Sequence, residues 1–423
     1  MNGKTLTVAN SFFKLVNNAW LEPSSLPRLP LDSWDLNTAL FDCELINNDI
    51  PILFGKAGFD SVNDNTAHLN LDIFGSAFFM ITRYEECIIS ERDIHARFPA
   101  KASVAYREGF LDRPIVNEYF EILWSAINYF WSGIQKKEHS FRVIPSSDVD
   151  NPYTPQIKSL SATARLMAGD LVKRRSPSLA LKSGLNAIYS KFGNYKYDSF
   201  HTFDMIMDVN EKYNNKVTFN FITGNTDPLY DSFYTLDEKR IRDLLKQISL
   251  RGHKIGLHCS YGSYLSPETI KGEYGKLQNV LAEEGIDQEI SVNRMHYLRW
   301  DSSSTARHLN DAGIASDSSL GYADHPGFRS GACFDFPMYD IVGRVPMKII
   351  QRPLILMECS VIDEEYLGLG YTGKALQVMI NLKKQVARYG GNFTLLWHNS
   401  SFLNTDDFIF YRQLVNSSAI NGY

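Results

Sequence analysis

The chain has 423 residues, 44% hydrophobic and 22% charged, with 43 basic against 48 acidic side chains and a formal net charge of -5. That is too long for one ordinary domain and enough apolar material for a sizeable core, and the charge balance gives no pull toward nucleic acid, which is not an expected partner. No apolar run reaches the length of a membrane span, the opening MNGKTLTVANSFFKLVNNAW lacks the apolar stretch of a secretory signal, and the cysteines (Cys43, Cys87, Cys259, Cys333, Cys359) form no CxxC pair, so a cytoplasmic protein with reduced thiols is expected.

Residues 1–139 read as a smaller α/β module. LDIFGSAFFMITRYEE predicts a helix over 71–86, and IVNEYFEILWSAINYFW, with apolar residues at helical spacing, predicts one over 115–131. The polar stretch SGIQKKEHS marks a boundary near residue 140. Strands then alternate with helices. The predicted strands are FRVIPSS (141–147), KVTFNFITG (216–224), GHKIGLHCS (252–260), ISVNRMHYLRW (290–300), GIASDSS (313–319), LILMECS (354–360) and NFTLLWHNS (392–400). DEKRIRDLLKQISLRG and GEYGKLQNVLAEEG are helices between them. Such alternation implies parallel strands, and residues 140–423 suit a (β/α) barrel, which needs about 250 residues. A helix-prone insertion, about 155–210, separates the first two strands and carries the basic run LVKRRSPSLALKSG.

In a parallel barrel the chemistry gathers at the C-terminal strand ends. The first strand delivers Asp148 and Asp150, the third His258, the fourth Arg294 and His296, the fifth Asp317 and the seventh His398. Asp148 and Asp150 are two residues apart, so they point the same way, and two carboxylates on one face repel unless water or a cation separates them. Alone, each of these residues has a plain structural explanation: an Asx turn, a hydrogen-bonded histidine. Together they suit a divalent metal. Asp150 and His258 are the natural first two ligands. Asp148 is the candidate general base, Arg294 or Arg299 would orient it, and His398 is the candidate general acid. That set points to hydrolysis of an amide or ester by metal-activated water.

These residues also carry a family resemblance. Residues 140–423 resemble the polysaccharide deacetylases of carbohydrate esterase family 4, with the NodB-homology fold. SSDVDNPY looks like the motif of two aspartates, KVTFNFITGN like the second strand, RGHKIGLHCSYGSY like the segment of the first metal histidine, and LLWHNS like the last, histidine-bearing motif. The resemblance implies a deformed (β/α)7 barrel preceded by the smaller α/β module. It assigns Asp148 as base, Asp150 and His258 as metal ligands and His398 as acid. The expected activity is removal of an acetyl group from an N-acetylated amino sugar, in surface polysaccharide or lipopolysaccharide synthesis. The expected cofactor is a divalent metal, zinc first. The sugar would be nucleotide-, lipid- or polymer-linked.

One departure stands out. The usual second metal histidine lies four residues after the first, and that position is Gly262. His296 is the favoured replacement. Ser260, Ser263 or water filling the place is a second reading, and a degenerate site that binds sugar without cleaving it is a third. Cys259 should point away from the face of His258. Asp317 reads equally as a partner supporting the site or as a turn residue. Tyr322, Asp324 and Arg329, on the loop after the fifth strand, and Trp397 beside His398 are assigned to the substrate. Lys173, Arg174 and Arg175 form either a solvated helix face or a contact with an anionic headgroup or phosphate, which leaves peripheral membrane contact open.

Overall fold

A computed structural model describes residues 3–63, 65–154, 160–172, 175–290 and 292–418. The first part of the chain contains β1 (Thr5–Val8), β2 (Asp32–Asp35), β3 (Asp49–Ile52), β4 (Gly55–Asn63) and β5 (Thr66–Leu71). β5 lies between β1, parallel to it, and β4, antiparallel, while β2 and β3 pair separately. Ala67, Leu69 and Leu71 alternate inward along β5, as the two-residue period of a strand requires. The predicted helix over 71–86 is shorter, Ile73–Ile81. Its start moves because β5 runs to Leu71 and Asp72 caps the helix, accepting from the Gly75 N–H at 2.9 Å. Its end moves because Arg83 takes a left-handed φ of 55° and a 3-10 turn, Tyr84–Cys87, follows. The helix Ile115–Phe130 falls where the apolar spacing places it.

The rest of the chain builds one nine-stranded sheet. Its strands are β6 (Arg142–Val149), β7 (Thr218–Ile222), β8 (Lys254–Cys259), β9 (Asn293–Met295), β10 (Ser316–Asp317), β11 (Phe336–Asp340), β12 (Val345–Gln351), β13 (Leu356–Met357) and β14 (Asn392–Leu396). The order is β11-β12-β10-β9-β8-β7-β6-β14-β13, and all neighbours are parallel except β11 and β12. The sheet curls on itself. Leu354 donates its N–H to the Leu320 carbonyl past β10 at 3.1 Å, and Ile355 donates to the Thr394 carbonyl of β14 at 3.2 Å. The chain from β12 to β13 therefore spans the gap as one stave, and the fold is a deformed (β/α) barrel behind a smaller α/β module. β7 and β14 are buried along their whole length, as parallel strands covered on both faces are. The helix Lys239–Leu250 packs beside β8 and buries Ile241, Leu244, Leu245 and Ile248, spaced to share one face, while Gly373–Arg388 packs against β14.

Several expectations change. The predicted strands over 290–300 and 313–319 shorten to β9 and β10, the first because the chain turns into a 3-10 segment, His296–Leu298. The predicted strand over 354–360 is only β13, because Glu358–Ile362 turns into a helix. The β11–β12 hairpin was not expected; Met347, Ile349 and Gln351 alternate inward along β12, but an inward Gln351 and an outward Ile350 blur that period in the sequence. The insertion forms the helices Leu160–Val172, Pro177–Tyr189 and Phe203–Glu211. Lys173 and Arg174 lie outside the described residues.

The module and the barrel share a core. Tyr322, Ala332 and Ile341 of the barrel pack among Phe79, Met80 and Ile115 of the module. Beside them a buried ion network crosses the junction: Arg329 donates to both carboxylate oxygens of Glu86, at 2.9 and 2.8 Å, and Arg83 bonds Glu85, Glu86 and the Tyr322 hydroxyl.

Candidate metal centre

Parallel strands bring their C-terminal ends to one mouth of the barrel. Asp148 is the last residue but one of β6 and Asp150 follows the strand, His258 lies in β8, His296 follows β9, Glu358 follows β13, and His398 lies two residues past β14. All of these but Glu358, which stands behind His398, line a cavity of about 340 Å³, together with Asp231, Tyr230, Tyr297 and Tyr366. Arg97 of the N-terminal module lines it too, donating to the Tyr297 carbonyl at 3.1 Å.

Asp150, His258 and His296 converge. Asp150 Oδ1 stands 3.3 Å from His258 Nε2 and 3.6 Å from His296 Nε2. Each ring is fixed from behind. His258 Nδ1 is 2.8 Å from the Arg294 carbonyl oxygen, and His296 Nδ1 is 2.9 Å from Asp231 Oδ1. Both partners are acceptors with no proton to give. In the neutral imidazoles Nδ1 therefore carries the hydrogen and Nε2 presents its lone pair to the centre. Asp150 Oδ1 is buried and has no hydrogen-bond donor. Three electron-pair donors thus face one another with no donor hydrogen between them, an arrangement that fits a cation. The electrostatics favour positive charge at this point, which a proton on His258 or a cation could supply. Burial opposes a charge on Asp150, but His296, His258 and His398 outweigh it and hold its carboxyl well below the usual range. Burial likewise opposes a charge on His258, and Asp148 and Asp150 outweigh it, raising its pKa.

Asp148 and His398 flank this trio. Asp148 Oδ1 accepts from Asn220 Nδ2 at 2.6 Å, and Oδ2 lies 3.7 Å from His258 Nε2. His398 Nδ1 sits 2.6 Å from Glu358 Oε1, which also accepts the His398 backbone N–H at 2.9 Å; Nε2 faces the cavity, 3.7 Å from Asp150 Oδ2. Burial alone would lower the pKa of His398, yet Glu358, Asp150 and Asp148 outweigh burial and push it up to about 10. Glu358, Cys359 and His398 also lie within ligand distance of one another. Burial raises the Cys359 thiol well above its ordinary range, and Glu358 is committed to His398, so this second trio is a poorer cation site. The Cys259 thiol is also buried and raised.

Arg294 is fully buried beneath Asp148, with Nε 3.8 Å from Asp148 Oδ1 and Nη2 on the hydroxyls of Ser146 and Ser318; it does not line the cavity, but it stands where it can orient Asp148. Other assignments are corrected. Tyr322 and Arg329 face the module instead of a substrate, because Arg83 and Glu86 pair with them. Asp324 accepts the Ala100 N–H at the same junction. Trp397 is wholly buried, stacked on Phe402, since it alternates to the side opposite His398. Arg299 clamps the His95 and Tyr261 carbonyls, both at 2.8 Å, and stacks on Tyr261, away from the base. Asp317 accepts from Asn293 Nδ2 and from the N–H and hydroxyl of Ser319, the turn role; it touches no candidate ligand, but its charge acts on Arg294 beneath Asp148. Gly262 donates its N–H to Thr226 Oγ1 at 2.7 Å.

Sequence reasoning missed Asp231, Glu358 and Asn220. Glu358 stands at a predicted strand end, where the other candidates were found. Asn220 is an amide inside an otherwise apolar strand. Asp231, on the loop after β7, carries no local signal.

Among known proteins, a family model described as a family of unknown function (DUF7033) matches residues 11–132. No curated protein matches the chain. The chain is similar in structure to a protein described as a "putative polysaccharide deacetylase" from Mycobacterium smegmatis, with 15% identity and a TM-score of 0.42, over 68% of this chain and 86% of that one. It is also similar to the chitin deacetylase of the fungal pathogen Colletotrichum lindemuthianum, with 12% identity and a TM-score of 0.30, over 66% of this chain and 86% of that one.

Proposed function

We propose that the cavity is the active site of a metal-dependent hydrolase that removes an acetyl group from the nitrogen of an amino sugar. The observation that carries this reading is the trio of Asp150 Oδ1, His258 Nε2 and His296 Nε2, facing one another with no donor between them. Two nitrogens and one carboxylate with an open side suit zinc better than the oxygen-seeking Mg²⁺ or Ca²⁺. A bound divalent metal would supply Lewis acidity, acidifying a water molecule and polarising the acetyl carbonyl. The remaining work falls to the chain. Asn220 fixes Asp148 Oδ1 and leaves Oδ2 to take the proton of the attacking water. Glu358 fixes His398 Nδ1, keeps the ring protonated and aims Nε2 at the leaving amine, which it protonates as the C–N bond breaks.

A cavity of about 340 Å³ accommodates a single sugar ring. The assignment to an acetylated amino sugar, and to surface polysaccharide or lipopolysaccharide synthesis, draws on the likeness of SSDVDNPY, RGHKIGLHCSYGSY and LLWHNS to the deacetylase motifs. The test is acetate release from nucleotide-, lipid- and polymer-linked N-acetyl sugars by the zinc-loaded protein. At least one class should release acetate, and Asp150→Ala should not. A stoichiometrically loaded protein that releases acetate from none of them refutes the proposal.

A further inference from the structure

The insertion between β6 and β7 has no place in the proposed reaction, and its surface combines exposed apolar side chains with positive charge. Its first two helices, Leu160–Val172 and Pro177–Tyr189, pack on each other as a hairpin. The second helix is apolar on its outer face as well as its inner one. Leu179 and Ala180 are buried, while Leu181 and Ile188, seven residues apart and hence on the same face, are 62% and 58% exposed, and Phe192, one turn further, is 84% exposed. Leu171 and Val172 add two more exposed apolar side chains at the turn of the hairpin.

The charge around this stripe has one sign. Arg165, Arg175, Lys182, Lys191 and Lys196 are all exposed. The single acid from 160 to 196 is Asp170, which is buried and accepts from Ser183. The whole chain is net -5, so these cations are concentrated against its general balance. A second copy of the chain would meet this face symmetrically and set cation against cation. An apolar stripe ringed by lysine and arginine complements a surface that is apolar within and anionic at its border.

We propose that this hairpin docks the protein onto an anionic lipid bilayer, with Leu181, Ile188 and Phe192 entering the interface and Lys182 and Lys191 meeting the headgroups. The docking is independent of the reaction assigned to the cavity, but it is fixed in space relative to it. Asp198 accepts from both Thr154, four residues past Asp150, and Asn186 of the second helix, at 3.0 and 2.9 Å. Asn399, next to His398, donates to the carbonyls of Asn151 and Phe200 at 2.9 and 2.8 Å. A bilayer held by the hairpin therefore sits at a set position relative to the loops that carry Asp150 and His398.

The test is co-sedimentation of the full chain with vesicles of mixed phosphatidylglycerol and phosphatidylcholine, and of phosphatidylcholine alone. The wild type should sediment with the mixed vesicles, be released by high salt, and stay largely in solution with phosphatidylcholine. A Leu181→Ser, Ile188→Ser, Phe192→Ser variant should lose binding while keeping its thermal midpoint, because the side chains removed are exposed. As a second variant, Lys182→Gln with Lys191→Gln leaves the apolar stripe intact and should weaken binding by about 30-fold. Wild type that ignores mixed vesicles or binds both kinds equally overturns the proposal, as do variants that bind like wild type. So does a wild-type dimer that the serine variant turns into a monomer, which would make the second copy the occupant of the stripe.

Discussion

Replacing Asp231 by asparagine should loosen the metal without altering any of its proposed ligands. Asp231 Oδ1 receives His296 Nδ1 at 2.9 Å and the Tyr261 N–H at 2.7 Å. Oδ2 receives the Thr226 N–H at 2.7 Å, the Thr226 hydroxyl at 3.0 Å and the Asp227 N–H at 3.0 Å. An amide has one oxygen, so its NH₂ must face donors on one side or the other. Turned toward His296, it opposes the Tyr261 N–H and favours the tautomer whose Nε2 carries the hydrogen, which removes a lone pair from the centre. Turned away, it opposes the Thr226 and Asp227 N–H groups. Either choice strands a buried donor, a loss of about 1–3 kcal/mol in stability. Losing the carboxylate behind a metal-bound imidazole typically weakens metal binding roughly 10- to 100-fold. Competition with a chromogenic chelator would give the zinc affinity of wild type and Asp231→Asn, and denaturant unfolding of the metal-free proteins would give the stability difference. Unchanged zinc affinity with lowered stability would show that Asp231 only shapes the loop, and that His296 does not bind the metal.

Three other outcomes follow from particular contacts. Asp148→Asn should retain zinc and lose turnover by about 100- to 10,000-fold; near-normal turnover would remove Asp148 as the base. Glu358→Gln takes away the carboxylate that most strongly opposes the effect of burial on His398, whose pKa stands at about 10. The acid form works protonated, so activity is lost as pH rises through that pKa, and the alkaline limb of the kcat profile should move to lower pH; an unmoved limb would contradict the acid assignment. Glu86 is buried, which works against its charge, but Arg329 and Arg83 outweigh burial and hold it at about 2. Its folded pKa lies below the unfolded value of about 4.3, so its contribution is complete above that value and disappears as pH falls toward about 2. Glu86→Gln should be less stable than wild type at neutral pH by about 3–5 kcal/mol, with a flatter thermal midpoint between about pH 5 and 2. Parallel declines in the two proteins would show that the junction network is not what acid breaks.

Alternating strands and helices, with acids and histidines where strands end, are local signals, and they made the barrel and its five mouth residues legible. Asp148, Asp150, His258, His296 and His398 meet because parallel strands put their C-terminal ends on the same side. Glu358 was equally accessible to that rule but stood in a stretch taken for continuous strand, which the structure turns into a helix at Glu358 itself. Asp231 had no such signal: its role depends on a loop folding back over β9, which no periodicity records. The misassigned residues share another cause. Tyr322, Asp324 and Arg329 were placed toward substrate because they follow a barrel strand, but the module covers that loop, and Arg329 finds Glu86 across 243 residues of sequence. Long-range docking of one core on another leaves no trace in local pattern. Trp397 is different, since the two-residue period already placed it opposite His398.

The most direct measurement is the zinc content of the purified, zinc-reconstituted protein by elemental analysis, with His296→Ala and His258→Ala beside it. A centre built from Asp150, His258 and His296 predicts close to one zinc per wild-type chain, and strong depletion in both variants after dialysis against a weak chelator. Full zinc retention in His296→Ala would contradict the proposed trio, and a wild type that takes up no zinc, manganese, cobalt or nickel would contradict a metal-dependent hydrolase.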